Sequence, residues 1–457
     1  MVKAGLLPLY IQLYDESSPG ARPRFEQFYG LIARELENRG MRVLTSPFCR
    51  VKKEFAEAVS EFEKQGADCI ITLHMAYSPS LMSAEALCWT SLPVIVLDTT
   101  GTYEFGFGQD PGEIMYNHGI HGVMDMCNLL NRNNKLFAIA AGHWERSDAL
   151  DRAANLARAA ASARSLRGMR VGRVGDSFEG MGDFLIDDEV FKKDFGVEVV
   201  QFNPQESSAV FCVPEENIAA EEAADRNAFV FKEDLGGIYR DTLISCLGVR
   251  NWIESEKLDA FTVNFLAIRE RSLPSVMPFM EACKAMSRGV GYAGEGDTLT
   301  AAFTGALLKN FPETSFVEIF CPDWAGGSLF ISHMGEMNIS LAASKPVIMK
   351  ADFPHTDAPD PAALYACFKP GKAVFVNAAP SKGGYTLTLS QVEMLDAQND
   401  SFPGVIRGWM KPGCPPETFL EKLSIAGATH HSMLVYGDVM EGIEFFGKLL
   451  GMEICRI

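Results

Sequence analysis

Two glutamates and two histidines in the C-terminal half are the residues best suited to chemistry. They are Glu295 in Gly-Glu-Gly-Asp, Glu318 in Ser-Phe-Val-Glu, His333 in Ser-His-Met and His431 in His-His-Ser-Met, with separations of 23, 15 and 98 residues. Carboxylate oxygen and imidazole nitrogen suit Mn²⁺, Co²⁺ or a similar first-row ion better than Ca²⁺. The absence of cysteine ligands argues against a structural zinc site. These residue types are suited to one metal site divided along the chain.

Such a donor set meets the needs of aldose–ketose isomerisation. The reaction takes a proton from C2, delivers one to C1 and moves another between the two oxygens, while negative charge develops on an enediolate. A divalent cation that holds both sugar oxygens stabilises this charge. A hydride shift between C1 and C2 is the mechanistic alternative, and incorporation of solvent deuterium at the transferred position would favour the enediol.

Taken singly, each of these residues also has an ordinary structural explanation. A glutamate between glycines is usually a solvated turn residue or a helix cap, although the turn around Glu295 can bring the backbone close to a ligand. A histidine at the end of an apolar strand, such as His333, is usually a packing residue. Neighbouring residues of a strand point to opposite sides, so at most one of His430 and His431 is expected to reach a given metal from a strand.

Composition limits the classes of protein that fit. The chain of 457 residues is 47% hydrophobic and 22% charged, which allows two to four domains with a large core. The sequence shows neither an apolar run of membrane-spanning length nor a signal peptide, and the eleven cysteines never lie closer than 19 residues apart, which predicts a cytoplasmic protein without a disulfide framework. A net charge of -18 argues against nucleic acid or an anionic membrane as the main partner.

The hydrophobic pattern predicts an α/β protein. Apolar runs at Leu6 to Leu13, Met41 to Leu44, Cys69 to Leu73 and Pro93 to Leu97 alternate with amphipathic helical stretches, which indicates a parallel sheet covered by helices. After Pro322 β-type segments dominate, and the alternation Tyr385 to Leu389 is typical of an antiparallel sheet with one wet face. We therefore predict two doubly wound parallel-sheet domains, residues 1–167 (Rossmann-like) and 168–325, followed by a β-rich domain, residues 326–457. Glu295 and Glu318 fall in the second domain, and His333 and His431 in the third.

The ordered Glu-Glu-His-His set resembles the metal-ligand pattern of the L-arabinose isomerase branch of the arabinose/fucose isomerase family. This resemblance implies that Glu295, Glu318, His333 and His431 hold Mn²⁺, with Co²⁺ or Mg²⁺ as alternatives, and that the two glutamates act as acid and base. It also implies that His430 contacts the substrate.

Further segments extend the resemblance over most of the chain. Gln12-Leu13-Tyr14 is similar to the family's Gln-x-Leu-Tyr with one residue missing, and His121-Gly122 matches its His-Gly element, which reaches into the neighbouring subunit's site. His118 stands where arabinose isomerases have glutamine. The resemblance implies that the following residues contact the sugar: Gln12, Tyr14, His118, His121, Met181, Phe265 and His430.

The sequence thus predicts an intramolecular oxidoreductase, a metal-dependent aldose–ketose isomerase acting on a ring-opened sugar through an enediol. The resemblance further implies that the β-rich C-terminal domain is barrel-like. It also implies a homo-oligomer, trimer or hexamer, with active sites between subunits. An aldopentose, a 6-deoxyhexose and a substituted hexose remain open as substrates. Two other functions also remain open: a non-catalytic sugar-binding protein, and a metal-dependent epimerase or lyase that begins with the same enolisation.

Overall fold

The computed structural model describes residues 1–397 and 400–457, which form two compact units. The first unit contains residues 1–164 and 441–450, and the second contains residues 165–440 and 451–457. No helix in the described ranges is long and apolar enough to cross a membrane. The three domain boundaries given above remain predictions.

The first unit is built on a five-stranded parallel sheet. Its elements in residues 1–165 are β1 (Lys3–Leu9), α1 (Gln12–Ser17), α2 (Arg22–Asn38), β2 (Arg42–Thr45), α3 (Lys52–Lys64), β3 (Cys69–His74), α4 (Ser80–Trp89), β4 (Val94–Asp98), α5 (Ile114–Asn117), α6 (Ile120–Arg132), β5 (Phe137–Ala141) and α7 (Ala149–Ser165). The strand order is β2-β1-β3-β4-β5, and every pair is parallel.

The central strands of this sheet are apolar runs because both faces are covered. All six residues of β3 are buried, as the sequence pattern predicts for a parallel sheet. The strand predicted over Leu6 to Leu13 is wrong at its C-terminal end, because β1 stops at Leu9 and a helix begins at Gln12. Hydrophobicity alone does not separate a strand from the helix that follows it.

The second unit begins with a four-stranded parallel sheet. The elements of this part are β6 (Arg170–Val174), α8 (Asp188–Phe195), β7 (Glu198–Gln201), α9 (Pro204–Ser207), α10 (Glu215–Ala228), β8 (Val230–Phe231), α11 (Gly236–Ser255), β9 (Ala260–Val263), α12 (Phe279–Ser287), β10 (Gly291–Gly294) and α13 (Thr298–Leu308). The strand order is β10-β9-β6-β7, all parallel. Helix α13 packs closely on β10, since a Cβ at Gly291 would lie only 2.3 Å from the carbonyl oxygen of Ala301.

A closed antiparallel barrel completes the second unit. The remaining elements of the chain are β11 (Thr314–Asp323), β12 (Ser328–Ser332), β13 (Val347–Lys350), β14 (Ala362–Tyr365), β15 (Gly371–Ser381), β16 (Gly384–Met394), β17 (Gly408–Pro412), α14 (Pro416–Ile425), β18 (His431–Tyr436), α15 (Met440–Leu449) and β19 (Glu453–Arg456). Six strands close in the order β15-β18-β11-β12-β17-β16, because β16 also pairs with β15, and β19 adds in parallel to β16. The predicted fold class, two parallel α/β sheets followed by a barrel-like β region, is confirmed.

The alternation in β16 does not mark a wet face. Thr386 and Thr388 are buried along with Leu387 and Leu389. Helix α8 covers one face of this strand, since the ring of Phe195 lies 4.6 Å from that of Tyr385. Thr386 and Thr388 point to the opposite face of the strand, which is also buried.

A charge network joins α10, α11 and α12 in the second unit. The Arg250 guanidinium contacts Glu221 and Glu281, each at 2.8 Å, and the Lys284 ammonium contacts Glu221 at 2.6 Å and Asp225 at 2.5 Å. Burial alone would raise the pKa of Glu221, but the hydrogen bonds and charges of Arg250 and Lys284 outweigh it and lower that pKa to about 2. These helices are therefore held together by a carboxylate that must stay ionised.

We expect Glu221→Gln to reduce the free energy of unfolding by about 3 kcal/mol at pH 7. This value follows from the lowering of the Glu221 pKa from 4.5 to about 2 on folding, since one pKa unit corresponds to about 1.4 kcal/mol. Because the folded-state pKa lies below the usual 4.5, the stabilisation is complete above pH 4.5 and is lost as the pH falls toward 2. Denaturant unfolding of wild type and variant between pH 7 and pH 3 measures this, with exposed Glu206→Gln as control. If the free energy of unfolding changed equally with pH in wild type and in Glu221→Gln, the expectation would be contradicted.

Candidate active site and metal centre

Five of the predicted site residues come together in the second unit. The carboxylate of Glu318 lies 3.8 Å from His333 Nε2, and that of Glu295 lies 3.6 Å from His431 Nε2. One potential ligand atom each from Glu318, His333 and His431 fall within 4.8 Å of one another, and the same holds for Glu295, His430 and His431. The residues are far apart in sequence but form one cluster.

Strand register accounts for three members of the cluster. Glu318 on β11 is directly opposite His431 on β18 on one side and Ser332 on β12 on the other, and His333 follows Ser332. Side chains that face each other across antiparallel strands are within reach. The barrel therefore positions Glu318, His333 and His431 from three adjacent strands.

Glu295 reaches the cluster through an unusual backbone turn. It follows β10 with φ of 62°, a left-handed conformation that costs a non-glycine residue of the order of 1 kcal/mol. The Thr262 hydroxyl secures this turn by donating to the carbonyl oxygen of Gly294 at 3.1 Å and accepting from the amide of Gly296 at 3.0 Å. A Cβ at position 294 would lie 2.9 Å from His333 Cε1, so glycine is required where the backbone passes the imidazole.

Each of the two buried histidines is oriented by a second carboxylate. His333 Nδ1 lies 2.6 Å from Glu336, and His431 Nδ1 lies 2.9 Å from Asp297. The other oxygen of Asp297 caps α13 by accepting from the Thr300 amide at 2.8 Å, so this carboxylate is fixed by the helix. Metal-binding histidines almost always have their second nitrogen held by a carboxylate or carbonyl, which leaves the first free for the ion.

The Nε2 atom of His431 gives the strongest indication that a cation fits. The side chain is fully buried, and this nitrogen has no hydrogen-bond partner among the described residues. A buried polar atom without a partner is costly in a folded protein. The Nε2 atoms of His333 and His431 face the carboxylates of Glu318 and Glu295, and these are donor types that suit a first-row divalent ion.

The two glutamates differ in their electrostatic environment. Burial would raise the pKa of Glu295, but the hydrogen bond from His430 and the imidazoles of His431 and His333 lower it below its usual range. At Glu318 burial prevails over the same histidines and raises the pKa. The ionised form of Glu318 is therefore not fully compensated by the protein's own groups, and a divalent cation would supply the missing positive charge.

His430 lies beside the cluster and points to the same side as His431. Its Nδ1 lies 2.7 Å from Asp183 and its Nε2 lies 3.4 Å from Glu295. The hydrogen bond with Glu295 raises the pKa of His430, burial opposes this, and Asp183 adds to the increase, which brings the value to about 9. The expectation that only one of the two histidines reaches the site fails because β18 begins at His431, so His430 precedes the strand and does not follow its alternation.

Two phenylalanines complete the packing around the imidazoles. Phe184 stacks on His431 with ring centroids 5.2 Å apart and an interplanar angle of 8°. Phe316 meets both His333 and His431 edge-on, at 4.7 Å and 5.0 Å. Apolar walls of this kind limit solvent and fix the ring planes.

The structure places Met181 and Phe265 in the same unit, near the backbone of Glu295. The amide of Phe178 donates to the carbonyl oxygen of Glu295 at 2.9 Å, and the Met181 amide donates to Phe178 at 3.2 Å. The ring of Phe265 lies 5.3 Å from that of Phe178. Substrate contact by Met181 and Phe265 remains a prediction.

The other four predicted residues lie in the first unit. Gln12 opens α1, and the hydroxyl of Tyr14 lies 3.0 Å from His118 Nε2. His118 precedes α6 and His121 lies in its first turn, with ring centroids 6.0 Å apart. These residues group among themselves at the carboxyl ends of β1 and α5, and their roles remain predictions.

Sequence reasoning missed the carboxylates that orient the histidines and the rings that pack on them. These residues are Asp183, Asp297, Glu336, Phe184 and Phe316. Glu336 stands three residues after His333, and Asp297 stands two residues after Glu295 at the start of α13. The spacing of these two carboxylates is a usable signal, whereas the positions of the aromatic rings carried no pattern.

We expect Glu336→Gln to weaken the binding of Mn²⁺ by about 10- to 100-fold, the usual effect of losing a carboxylate that orients a metal-binding histidine. Glu336 also accepts a hydrogen bond from the Tyr292 hydroxyl at 2.8 Å, and a glutamine oxygen can keep that contact. Titration of metal-free protein with Mn²⁺ measures the affinity, and Tyr292→Phe is the matched control. Unchanged affinity in Glu336→Gln would show that His333 needs no such partner.

Comparison with known proteins identifies similar chains. A family model described as the L-arabinose isomerase C-terminal domain matches residues 313–453. An L-arabinose isomerase of Aeromonas hydrophila is 26% identical, covering 83% of this chain and 79% of that protein. Those of Shouchella clausii and Bacillus subtilis are each 24% identical, covering 98% and 90% of this chain and 92% and 84% of theirs.

A solved periplasmic solute-binding protein from Actinobacillus succinogenes, with bound D-allose, is also similar in part. It shares 11% identity over 68% of this chain and 91% of its own, with a TM-score of 0.18. That score is too low to support any functional argument.

Proposed function

The chain belongs to the L-arabinose isomerase family and is an isomerase, and from this premise we propose that it converts an aldose into the corresponding ketose with the help of a divalent metal. The observation that carries the proposal is the paired arrangement of imidazoles and glutamates. His333 and His431 are each held through Nδ1 by a carboxylate, and their Nε2 atoms face Glu318 and Glu295.

The metal would be held by Glu295, Glu318, His333 and His431, with Mn²⁺ as the favoured ion and Co²⁺ or Mg²⁺ as alternatives. When bound, it would supply the positive charge that stabilises a developing enediolate. The donor set and the unpartnered Nε2 of His431 support this assignment. His430 would contact a sugar hydroxyl. Its position beside Glu295, with its backbone amide and Nδ1 bonded to Asp183, supports this role.

We assign the proton transfers to the two glutamates. Glu295, whose pKa is lowered, takes the proton from C2, exchanges it with solvent and delivers a proton to C1. Glu318, whose pKa is raised, moves the hydroxyl proton from O2 to O1. The two transfers convert the aldehyde at C1 into an alcohol and the alcohol at C2 into a ketone, so the reaction is balanced without a redox cofactor.

We further propose that the protein is a cytoplasmic homo-oligomer, trimer or hexamer, in which Gln12, Tyr14, His118 and His121 of one subunit contact the sugar bound by another. A monomeric variant is then inactive even when its metal site is intact. Size-exclusion chromatography with light scattering, combined with activity across a dilution series, tests this. Full activity in a monomer would refute the shared site.

A screen of aldoses with added Mn²⁺ tests the proposed activity. Conversion of at least one aldose to its ketose, followed by NMR and lost on chelation, supports the proposal. Tight binding of a sugar without turnover would indicate a binding protein, and a C2 epimer as product would indicate an epimerase. Reaction in D₂O places deuterium at C1 of the ketose if the enediol route is correct, and a hydride shift leaves C1 unlabelled.

A further inference from the structure

The barrel does not set the orientation of the His430 ring. His430 precedes β18, so the pairing of this strand with β11, which ends at His431, does not extend to it. The side chain of His430 is 33% exposed, whereas that of His431 is fully buried. A partly solvated imidazole outside a strand can turn about its side-chain bonds unless another group holds it. The group that holds His430 comes from a different part of the second unit.

Asp183 holds His430 through both its backbone and its ring. The Oδ2 atom of Asp183 accepts from the backbone amide of His430 at 2.9 Å and lies 2.7 Å from Nδ1 of the same residue. With Nδ1 directed at this carboxylate, Nε2 is turned toward Glu295 and lies 3.4 Å from its carboxylate. A carboxylate that binds one imidazole nitrogen fixes the plane of the ring and leaves the other nitrogen available.

The segment that carries Asp183 is fixed against the same site. It connects β6 to α8, and near its start the Ser177 hydroxyl donates to the carbonyl oxygen of Gly296 at 3.1 Å. The residue after Asp183 is Phe184, which is 1% exposed and lies with its ring 5.5 Å from that of His430. The neighbours of Asp183 therefore keep it in place, and its carboxylate is available to orient His430.

The exposure of this pair argues against a purely structural role. The side chains of Asp183 and His430 are 37% and 33% exposed, and charged pairs with this access to water contribute little to the stability of a fold. The pair formed by Asp297 and His431 is, by contrast, fully buried. A partly exposed imidazole beside Glu295 is also accessible to a small polar ligand.

We propose that Asp183 is a positioning residue for sugar binding, which holds the His430 ring so that Nε2 stays beside Glu295 and meets a hydroxyl of the sugar. This inference rests on the proposed function, in which His430 contacts the substrate. Asp183 acts through His430 and touches neither the metal nor the sugar. Its loss therefore weakens sugar binding and leaves metal affinity unchanged, which distinguishes it from Glu336 and Asp297, the carboxylates that hold the buried histidines.

Two substitutions of Asp183 test this role. With an aldose that the wild type converts, we expect Asp183→Ala to raise KM at least about tenfold and to change kcat by less than about threefold, because a hydroxyl contact made equally before and during the reaction affects KM. Asp183→Asn keeps an oxygen that accepts both bonds, so its KM should stay within about threefold of wild type.

Titration with Mn²⁺ separates sugar binding from metal binding. We expect both Asp183 variants to bind Mn²⁺ with wild-type affinity. Glu179→Gln, exposed in the same segment, is the matched control and should equal wild type in KM, kcat and Mn²⁺ affinity. An unchanged KM in Asp183→Ala, or a loss of Mn²⁺ affinity as large as that of Glu336→Gln, would overturn the proposal.

A double-mutant cycle shows whether Asp183 acts through His430. In a His430→Asn background, Asp183→Ala should raise KM no further, because the ring that it positions is gone. Effects that multiply would mean that Asp183 binds the sugar itself or supports the fold, and would overturn the proposal.

Crystal structures of wild type and Asp183→Ala test the positioning without any turnover. We expect the His430 ring of the variant to turn away from Glu295, while His431 keeps its contact with Asp297. A ring that stays in place would overturn the proposal and leave the isomerase intact. A ring that turns, in a protein that converts no aldose, would uphold the positioning by Asp183 and refute the proposed function alone.

Discussion

Glu295→Gln is expected to lower kcat for aldose–ketose conversion by about 10³-fold or more, because general acid–base catalysis alone typically contributes 10²- to 10⁴-fold and the same side chain is proposed to hold the metal. Glutamine has the size of glutamate but cannot accept the C2 proton. The left-handed turn at Glu295 is retained because Gly294, Gly296 and Thr262 secure its backbone. Steady-state kinetics with a sugar that the wild type converts measures the effect.

The control separates chemistry from folding. Glu206→Gln, on the exposed surface of the same unit, is expected to retain wild-type kcat. Glu295→Gln should keep the wild-type circular dichroism spectrum and oligomeric state. A well-folded Glu295→Gln protein with more than a tenth of wild-type activity would exclude Glu295 as the base.

Removal of the metal is expected to abolish activity and to destabilise the second unit. Burial raises the pKa of Glu318, and a cation beside it would stabilise the ionised form. A ligand that binds only the folded chain adds about 4 kcal/mol of stability at a thousand times its Kd. We therefore expect chelator-treated protein to unfold at a lower temperature, with activity and Tm restored together by Mn²⁺.

The same experiment on His431→Asn tests where the ion binds. That variant is expected to show no increase in Tm with Mn²⁺, whereas His143→Asn in the first unit should respond like wild type. Because ligand histidines and carboxylates must lose their protons to bind metal, the response should weaken as the pH falls from 7 to 5. An undiminished response of His431→Asn to Mn²⁺ would place the ion elsewhere.

Much of the fold follows from local patterns in the sequence. The apolar runs of β1, β3 and β4, separated by amphipathic helices, predicted the parallel sheet, because strands buried on both faces need continuous hydrophobic residues. From local patterns alone the closed barrel was predictable only as a β-rich region, and its barrel-like form was implied by the family resemblance. Its closure depends on the pairing of β15 with both β16 and β18, which are far apart in the chain and carry no mark of their register.

The candidate site was predictable in its main residues but not in their support. The order and spacing of Glu295, Glu318, His333 and His431 carried the family pattern. The structure brings them into two overlapping groups that share His431, one with Glu318 and His333 and the other with Glu295 and His430. The local sequence indicates only that Asp297 caps a helix. Its second contact is with His431, which lies 134 residues away in the chain. A local pattern shows only one of the two partners of such a side chain.

His430 illustrates how a small irregularity changes a site. Strict alternation predicts that it points away from His431, but the Asn377 amide binds the carbonyl oxygens of Thr429 and His431, both at 2.8 Å, where β18 begins. The chain thus enters the strand at His431, and both rings lie beside Glu295. No feature of the His-His pair itself shows where the strand starts.

The metal content of the purified full-length protein tests the central claim most directly. Metal-free protein is loaded with Mn²⁺, desalted and measured by elemental analysis and electron paramagnetic resonance, together with Glu318→Gln, His333→Asn and His431→Asn. We predict one tightly bound Mn²⁺ per chain in the wild type and its loss in each of the three variants. A wild-type chain that retains no Mn²⁺, or three variants that each retain one, would contradict the account.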